Sequence, residues 1–220
     1  EKKVDIYPKT QYNRYIYKKG KKMSHFFTAD LHFGHNNVIN FTNPDGTKTR
    51  PFDTVEDMED AYVQAHNEVV KPTDRVYMLG DIAFNQRGLN KVKAMNGIKI
   101  LVKGNHDNLK LHKYVDVFKD IRGCHVTNGI VFTHIPIHVD QLGRFGCNVH
   151  GHLHSNRVLL DGAIDPRFLC ISVEQTDMKP LHFEDMVSRI VAQGGKLGMV
   201  TQGNGPTPKD QATQNALFNS

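Results

Sequence analysis

Residues 25–35 read HFFTADLHFGH, in which an apolar run changes abruptly into a polar cluster. The run from His25 to Ala29 has the length and composition of a buried strand. Asp30 and His32 follow at once, so they stand where that strand ends. The same succession of apolar run and polar cluster returns later in the chain, and it is the main sequence evidence on fold and function.

The segments after this strand alternate between helix and strand patterns. A helix-like stretch begins near Asn36, and a clearer helix covers residues 54–70, where Thr54 and Asp57 resemble a capping box. Strands are predicted at 75–79 and 98–102, with a helix between them and another at 109–118. The alternating order predicts an α/β fold.

Short strands dominate the second half of the chain. Asn128-Gly129 is a hairpin turn signal that leads into a strand at 130–133. Further strands are expected at 147–150, 158–160 and 169–173, and a last helix at 183–191. We expect one domain at residues 23–192, after a flexible extension or leader at 1–22. Residues 193–220 are rich in Gly, Gln, Asn and Pro, which predicts a mobile tail.

Composition restricts the class of protein. A length of 220 residues suits one domain. The net charge is +5, but four lysines lie at residues 18–22, outside the expected domain, so nucleic acid is a possible partner with little support.

The three cysteines are expected to be reduced. No apolar run approaches the roughly 18 residues of a spanning helix, and no signal peptide is recognisable, so a cytoplasmic protein without membrane contact is expected. The oligomeric state stays open.

Polar clusters follow five of the predicted strands. Ligands of open α/β sheets bind beyond the carboxyl ends of the strands, so we expect these clusters to form one site. Carboxylate, amide and imidazole groups without a thiolate suit Mn²⁺, Fe²⁺ or Zn²⁺, and there are more of them than one ion needs. Two divalent ions are therefore predicted, a pair that in other proteins lies roughly 3.5–4 Å apart and promotes displacement at phosphorus. The clusters are Asp30 and His32; Asp81; Asn105, His106 and Asp107; His134; His152 and His154.

The same clusters resemble a known superfamily. DLH, GD, GNHD, THIP and GHLH, in this order between residues 30 and 154, are similar to the five blocks of the calcineurin-like metallophosphoesterases. Residues 171–186 resemble the C-terminal part of small stand-alone members from bacteria and phages. The resemblance implies a two-sheet β-sandwich flanked by helices in four layers.

The resemblance also implies roles for single residues. His106 would assist the departing oxygen, and a hydroxide between the ions would be the nucleophile. Mn is the expected metal, with Fe, Zn and Ni as alternatives. One ion would take Asp30, His32 and His154, the other Asn105, His134 and His152, with Asp81 as the bridge between them.

Some residues depart from the superfamily pattern or admit two interpretations. Phe84 stands where protein phosphatases have a carboxylate that orients the catalytic histidine, which argues against that activity. His35 either contacts substrate phosphate or begins a helix. Asp107 either orients a ligand histidine or caps a helix, and Arg144 either reaches substrate or is a solvated loop residue.

The predicted function is metal-dependent hydrolysis of phosphate esters. Analogy with small relatives that have no cap domain over the site favours phosphodiesters or small activated esters as substrates. The alternatives are a metal-dependent nuclease and a non-catalytic protein-binding scaffold of the same fold. Scaffolds lose catalytic histidines, whereas this chain keeps His106.

Overall fold

The computed structural model describes residues 23–198, which form a mixed α/β fold and so confirm the predicted class. The predicted leader at 1–22 and most of the predicted tail lie outside these residues. The α-helices are α1 (Val55–Val69), α2 (Gln86–Ala94), α3 (Leu111–Val115) and α4 (Phe183–Ala192). The strands are β1 (His25–Thr28), β2 (Arg75–Met78), β3 (Ile98–Val102), β4 (Asp120–Arg122), β5 (His125–Thr127), β6 (Ile130–Thr133), β7 (Cys147–His150), β8 (Leu159–Leu160), β9 (Ala163–Ile164), β10 (Phe168–Cys170) and β11 (Leu181–His182).

The first sheet has the strand order β11-β1-β2-β3-β4. Strands β1 to β4 are parallel, and β11 pairs antiparallel with β1. Helices α1 and α2 connect the parallel strands, as such pairing requires. The capping interaction predicted for α1 is present, since the Thr54 side chain accepts a 3.0 Å hydrogen bond from the backbone N–H of Asp57.

The second sheet has the order β10-β7-β6-β5, and β8 and β9 form a separate two-stranded sheet. Strands β6, β7 and β10 are parallel, while β5 and β6 form an antiparallel hairpin. Asn128 and Gly129 have φ of 51° and 70°, the left-handed conformations that this two-residue turn requires.

Residues of both large sheets share one hydrophobic cluster. Phe27 of β1 stacks on Phe132 of β6 with ring centroids 4.8 Å apart, and on Tyr77 of β2 at 5.0 Å. Leu197, in the predicted tail, packs against the same cluster. A second cluster joins α1 and α2 to the first sheet. This packing brings the loops that follow β1, β2 and β3 close to those that follow β6 and β7.

Two predicted helices are shorter in the structure. The stretch near Asn36 is a single 3₁₀ turn, Val38–Asn40, because the chain continues in extended conformation from Phe41. The helix predicted at 109–118 is limited to α3. Within residues 23–198, none of the helices combines the length and apolarity needed to cross a membrane.

Candidate metal centre

Two groups of side chains at the loop edge could each hold a metal ion. Within each group, the candidate ligand atoms lie within 4.8 Å of one another. The groups follow the division that the sequence resemblance implied. They are Asp30, His32 and His154, and Asp81, His134 and His152.

Asn105 lies beside the second group. Its Oδ1 is 2.8 Å from Nε2 of His134. Asp81 faces both groups through one oxygen, because its Oδ2 is 3.4 Å from Nε2 of His134 and 3.7 Å from Nε2 of His32. The structure therefore brings together all seven predicted ligands.

The backbone at this edge is unusual for residues with side chains. Left-handed φ values are uncommon outside glycine and cost on the order of 1–3 kcal/mol each. Such strained residues concentrate at functional sites. Five of the seven candidate ligands have this conformation: Asp30 (60°), His32 (55°), Asp81 (54°), His152 (70°) and His154 (52°).

Glycines allow the loops to approach one another. A Cβ on Gly104 would collide with the Asp81 side chain and backbone, and one on Gly151 would collide with Oδ2 of Asp30. These close contacts explain why glycine is present in the GNHD and GHLH segments.

His134 is oriented as a metal ligand. Its Nδ1 lies 2.8 Å from the backbone oxygen of Leu79 and donates a hydrogen bond to it. In the neutral ring, Nε2 then carries a lone pair and faces the acceptor oxygens of Asn105 and Asp81. Burial lowers the pKa of His134, but hydrogen bonding to Asp81 and the nearby carboxylates outweigh burial and raise it. A cation at this position, either a proton or a metal ion, would satisfy all three acceptors.

His32 also fits a metal site. It is 4% exposed, and neither ring nitrogen has a hydrogen-bond partner among the described residues. Buried polar atoms without partners are rare and costly. Desolvation lowers the pKa of His32, which favours the neutral, metal-binding form. The donor types and the unpaired nitrogens together fit divalent cations.

Sequence reasoning missed a buried network behind His154. Glu174 Oε1 accepts a hydrogen bond from Nδ1 of His154 at 2.9 Å, which directs Nε2 toward the metal group. Arg50 is fully buried and donates to Glu174, and also to the backbone oxygens of Asp30 and Leu31 at 2.6 and 2.9 Å. The Ser172 hydroxyl donates to Asp30 Oδ2 at 2.6 Å.

Asp107 stabilises the two neighbouring loops. Its carboxylate accepts hydrogen bonds from the backbone N–H groups of Asp81, Ile82 and Gly104 at 2.8 to 2.9 Å. Burial raises the pKa of Asp107, although these hydrogen bonds oppose the change. Its hydrogen bonds within the described residues are to backbone amides, so it acts on the loop that carries Asp81.

A cavity of about 270 Å³ lies over the two groups. His106 lines it and is exposed, while its backbone N–H donates to Asp81 Oδ1 at 2.8 Å. His35 also lines it and stacks on Phe84, with ring centroids 4.5 Å apart. Arg144 is exposed at the end of a 3₁₀ helix and is not among the residues that line the cavity.

The fold and the site define a mixed α/β protein with two candidate metal-binding groups at one edge of its sheets. Uncharacterized protein MJ1445 of Methanocaldococcus jannaschii is 30% identical over 177 residues, which cover 77% of this chain and 92% of that protein. The chain therefore belongs to the same family as MJ1445. No protein-family model matches it.

Two solved structures are also similar. A protein of unknown function from Aquifex aeolicus, AQ665, matches with a TM-score of 0.59 and 28% identity, over 76% of this chain and 99% of that one. A novel archaeal phosphodiesterase matches with a TM-score of 0.37 and 17% identity, over 68% of this chain and 82% of that one.

Proposed function

We propose that this chain is a hydrolase of the calcineurin-like metallophosphoesterase superfamily, which cleaves phosphate esters with two divalent cations. The observation that carries the proposal is the meeting of two ligand groups, with Asp81 between them, in one cavity. A four-layer arrangement of two sandwiched sheets and flanking helices belongs to the same proposal.

The proposed cations have separate ligands and one shared ligand. Asp30, His32 and His154 would hold one ion, and Asn105, His134 and His152 the other, with Asp81 shared. When bound, two such cations neutralise phosphoryl oxygens and make a water molecule nucleophilic near neutral pH. Mn²⁺ is the proposed metal.

His106 is the proposed proton donor to the leaving oxygen. It lines the cavity, and its ring has no role in the two ligand groups. A positioned acid contributes typically about 10²–10⁴-fold to rate. Phosphodiesters and small activated esters are the proposed substrates.

Metal stoichiometry and hydrolysis test the proposal together. The protein is stripped with a chelator, titrated with Mn²⁺ by calorimetry, and assayed on an aryl phosphodiester, an aryl monoester and plasmid DNA. We expect two ions per chain and diester hydrolysis that the chelator abolishes. At most one weak site, or turnover that is indifferent to the chelator, would refute the two-metal proposal.

Two variants refine the test. Asp81→Asn should weaken the binding of both ions, because Asp81 faces both groups. Asn105→Ala should weaken mainly the binding of one ion. Equal effects of the two variants on both sites would contradict the ligand assignment. Metal binding without hydrolysis of any ester would favour a binding role for the same site.

A further inference from the structure

Phe41 differs in exposure from the other phenyl and phenol rings of residues 23–198. It is 42% exposed, while the remaining Phe and Tyr residues in this range are buried or half-buried. An isolated exposed apolar side chain is ordinary on a protein surface. Phe41, however, lines the cavity over the candidate metal groups.

Rings make up most of the wall around Phe41. Its ring meets those of His35 and His154 edge to face, with centroids 5.8 and 6.4 Å apart. Phe84 forms a further part of the wall by stacking on His35. Among residues 23–198, those that line the cavity include no Lys or Arg. The charged phosphate therefore belongs at the ligand groups, and the rest of a substrate would meet rings.

The loop that carries Phe41 is closed and anchored. The backbone oxygen of Phe41 accepts hydrogen bonds from the N–H and the hydroxyl of Thr49, at 2.9 and 3.1 Å. Arg50 follows and is tied to the backbone oxygens of Asp30 and Leu31. The backbone that carries the ring is thus held in place before any ligand arrives, which lowers the ordering cost of binding.

We infer that Phe41 is a stacking platform for a planar group of the substrate, so that the substrates are phosphate esters that carry a nucleobase near the reacting phosphate. The inference rests on the proposed function for the position of that phosphate. Stacking on an aromatic side chain accepts any base, because every base has a π face.

Two matched esters test the inference. Both are methyl diesters of ribose 5-phosphate, and they differ only at C1, where one has adenine and the other a methoxy group. With Mn²⁺, kcat/KM should be roughly tenfold or more higher for the adenine ester. Phe41→Ala should abolish this preference, and Phe41→Tyr should retain it. Val191→Ala, which truncates an exposed residue of α4, should change neither rate.

The outcomes separate the inference from the proposed function. An equal loss of rate on both esters in Phe41→Ala, or no preference in the wild type, would overturn the stacking platform. The proposed function fails only if the aryl esters are not hydrolysed either. If neither methyl ester is hydrolysed, calorimetry with adenosine 5′-monophosphate and ribose 5-phosphate decides on Phe41. Tighter binding of the base-bearing ligand that Phe41→Ala removes supports the platform, and equal affinities refute it.

Discussion

Arg50 donates two hydrogen bonds to one oxygen of Glu174, from Nε at 2.9 Å and from Nη2 at 2.7 Å. The same oxygen accepts a hydrogen bond from His154. Burial raises the pKa of Glu174, but the His154 hydrogen bond and the Arg50 charge outweigh burial and lower it to about 2. A buried carboxylate is thus kept ionised directly behind a candidate ligand.

Glu174→Gln should weaken one metal site selectively. The substitution keeps the shape of the side chain but removes the charge that orients and polarises His154, and partners of this kind are worth about 10–100-fold in metal affinity. Calorimetric titration with Mn²⁺ should show this loss at one site and little change at the other. The control is Glu68→Gln on an exposed position of α1. Equal weakening of both sites would contradict the assignment of His154 to one group.

His106→Asn should retain both ions and reduce turnover by roughly 10²–10⁴-fold. The loss should depend on the leaving group. A nitrophenolate departs without much help, whereas an alkoxide needs a proton in the transition state. We therefore expect a larger fall in kcat for alkyl esters than for nitrophenyl esters. A rise in KM that is similar for both, with kcat unchanged, would mean that His106 only binds phosphate.

Phe84 should act through His106. The two rings stack with centroids 5.2 Å apart and an interplanar angle of 19°, so Phe84 positions an otherwise exposed imidazole. Phe84→Ala should reduce kcat on alkyl esters, and Phe84→Tyr, which keeps the ring, should restore it. In the His106→Asn variant, adding Phe84→Ala should reduce kcat by less than about twofold further, because the effects of two coupled residues are not additive. An additive loss in the double variant would exclude this positioning role.

The stability of the fold should decrease in mild acid because of His66. This side chain is fully buried; its Nε2 faces the backbone oxygen of Asn96 at 3.0 Å, and its Nδ1 has no hydrogen-bond partner within residues 23–198. Burial lowers its pKa from 6.5 to about 4. Below pH 6.5, the imidazole of His66 therefore binds a proton in the unfolded chain but stays neutral in the folded chain. The free energy of unfolding decreases as the pH falls from 6.5 toward 4.

Chemical denaturation at two pH values checks this prediction. Between pH 7 and pH 5, His66 should account for about 2 kcal/mol of lost unfolding free energy. His66→Gln should flatten the pH dependence by that amount even if it lowers stability overall. His112→Gln, at an exposed position of α3, should leave the slope unchanged. A slope in His66→Gln equal to that of the wild type would refute the assignment.

The grouping of the candidate ligands could be predicted because each follows a strand. Asp30, Asp81 and Asn105 stand after β1, β2 and β3, and parallel strands present their ends at a common edge. The apolar runs before these residues are visible in the sequence, and so is the turn at Asn128-Gly129. The apolar runs and the turn can both be recognised from residues that are adjacent in the sequence.

The residues that contact the candidate ligands from behind could not be predicted in this way. Glu174 lies in a short 3₁₀ helix and Arg50 in a loop, and 124 positions separate them. An arginine in such a polar stretch is most often solvated, and only the folded chain places it in a fully buried position. Phe84 is visible in the sequence as a departure from the superfamily pattern, but its stacking on His106 depends on the path of two separate loops.

The two ligand groups draw on both large sheets. His32 and Asp81 follow strands of the first sheet, whereas His134, His152 and His154 follow strands of the second. A cation in either group would therefore join the sheets at their edge, much as a disulfide joins two distant segments. The hydrophobic core holds the sheets together at all times, whereas this additional cross-link would form and break with the supply of metal.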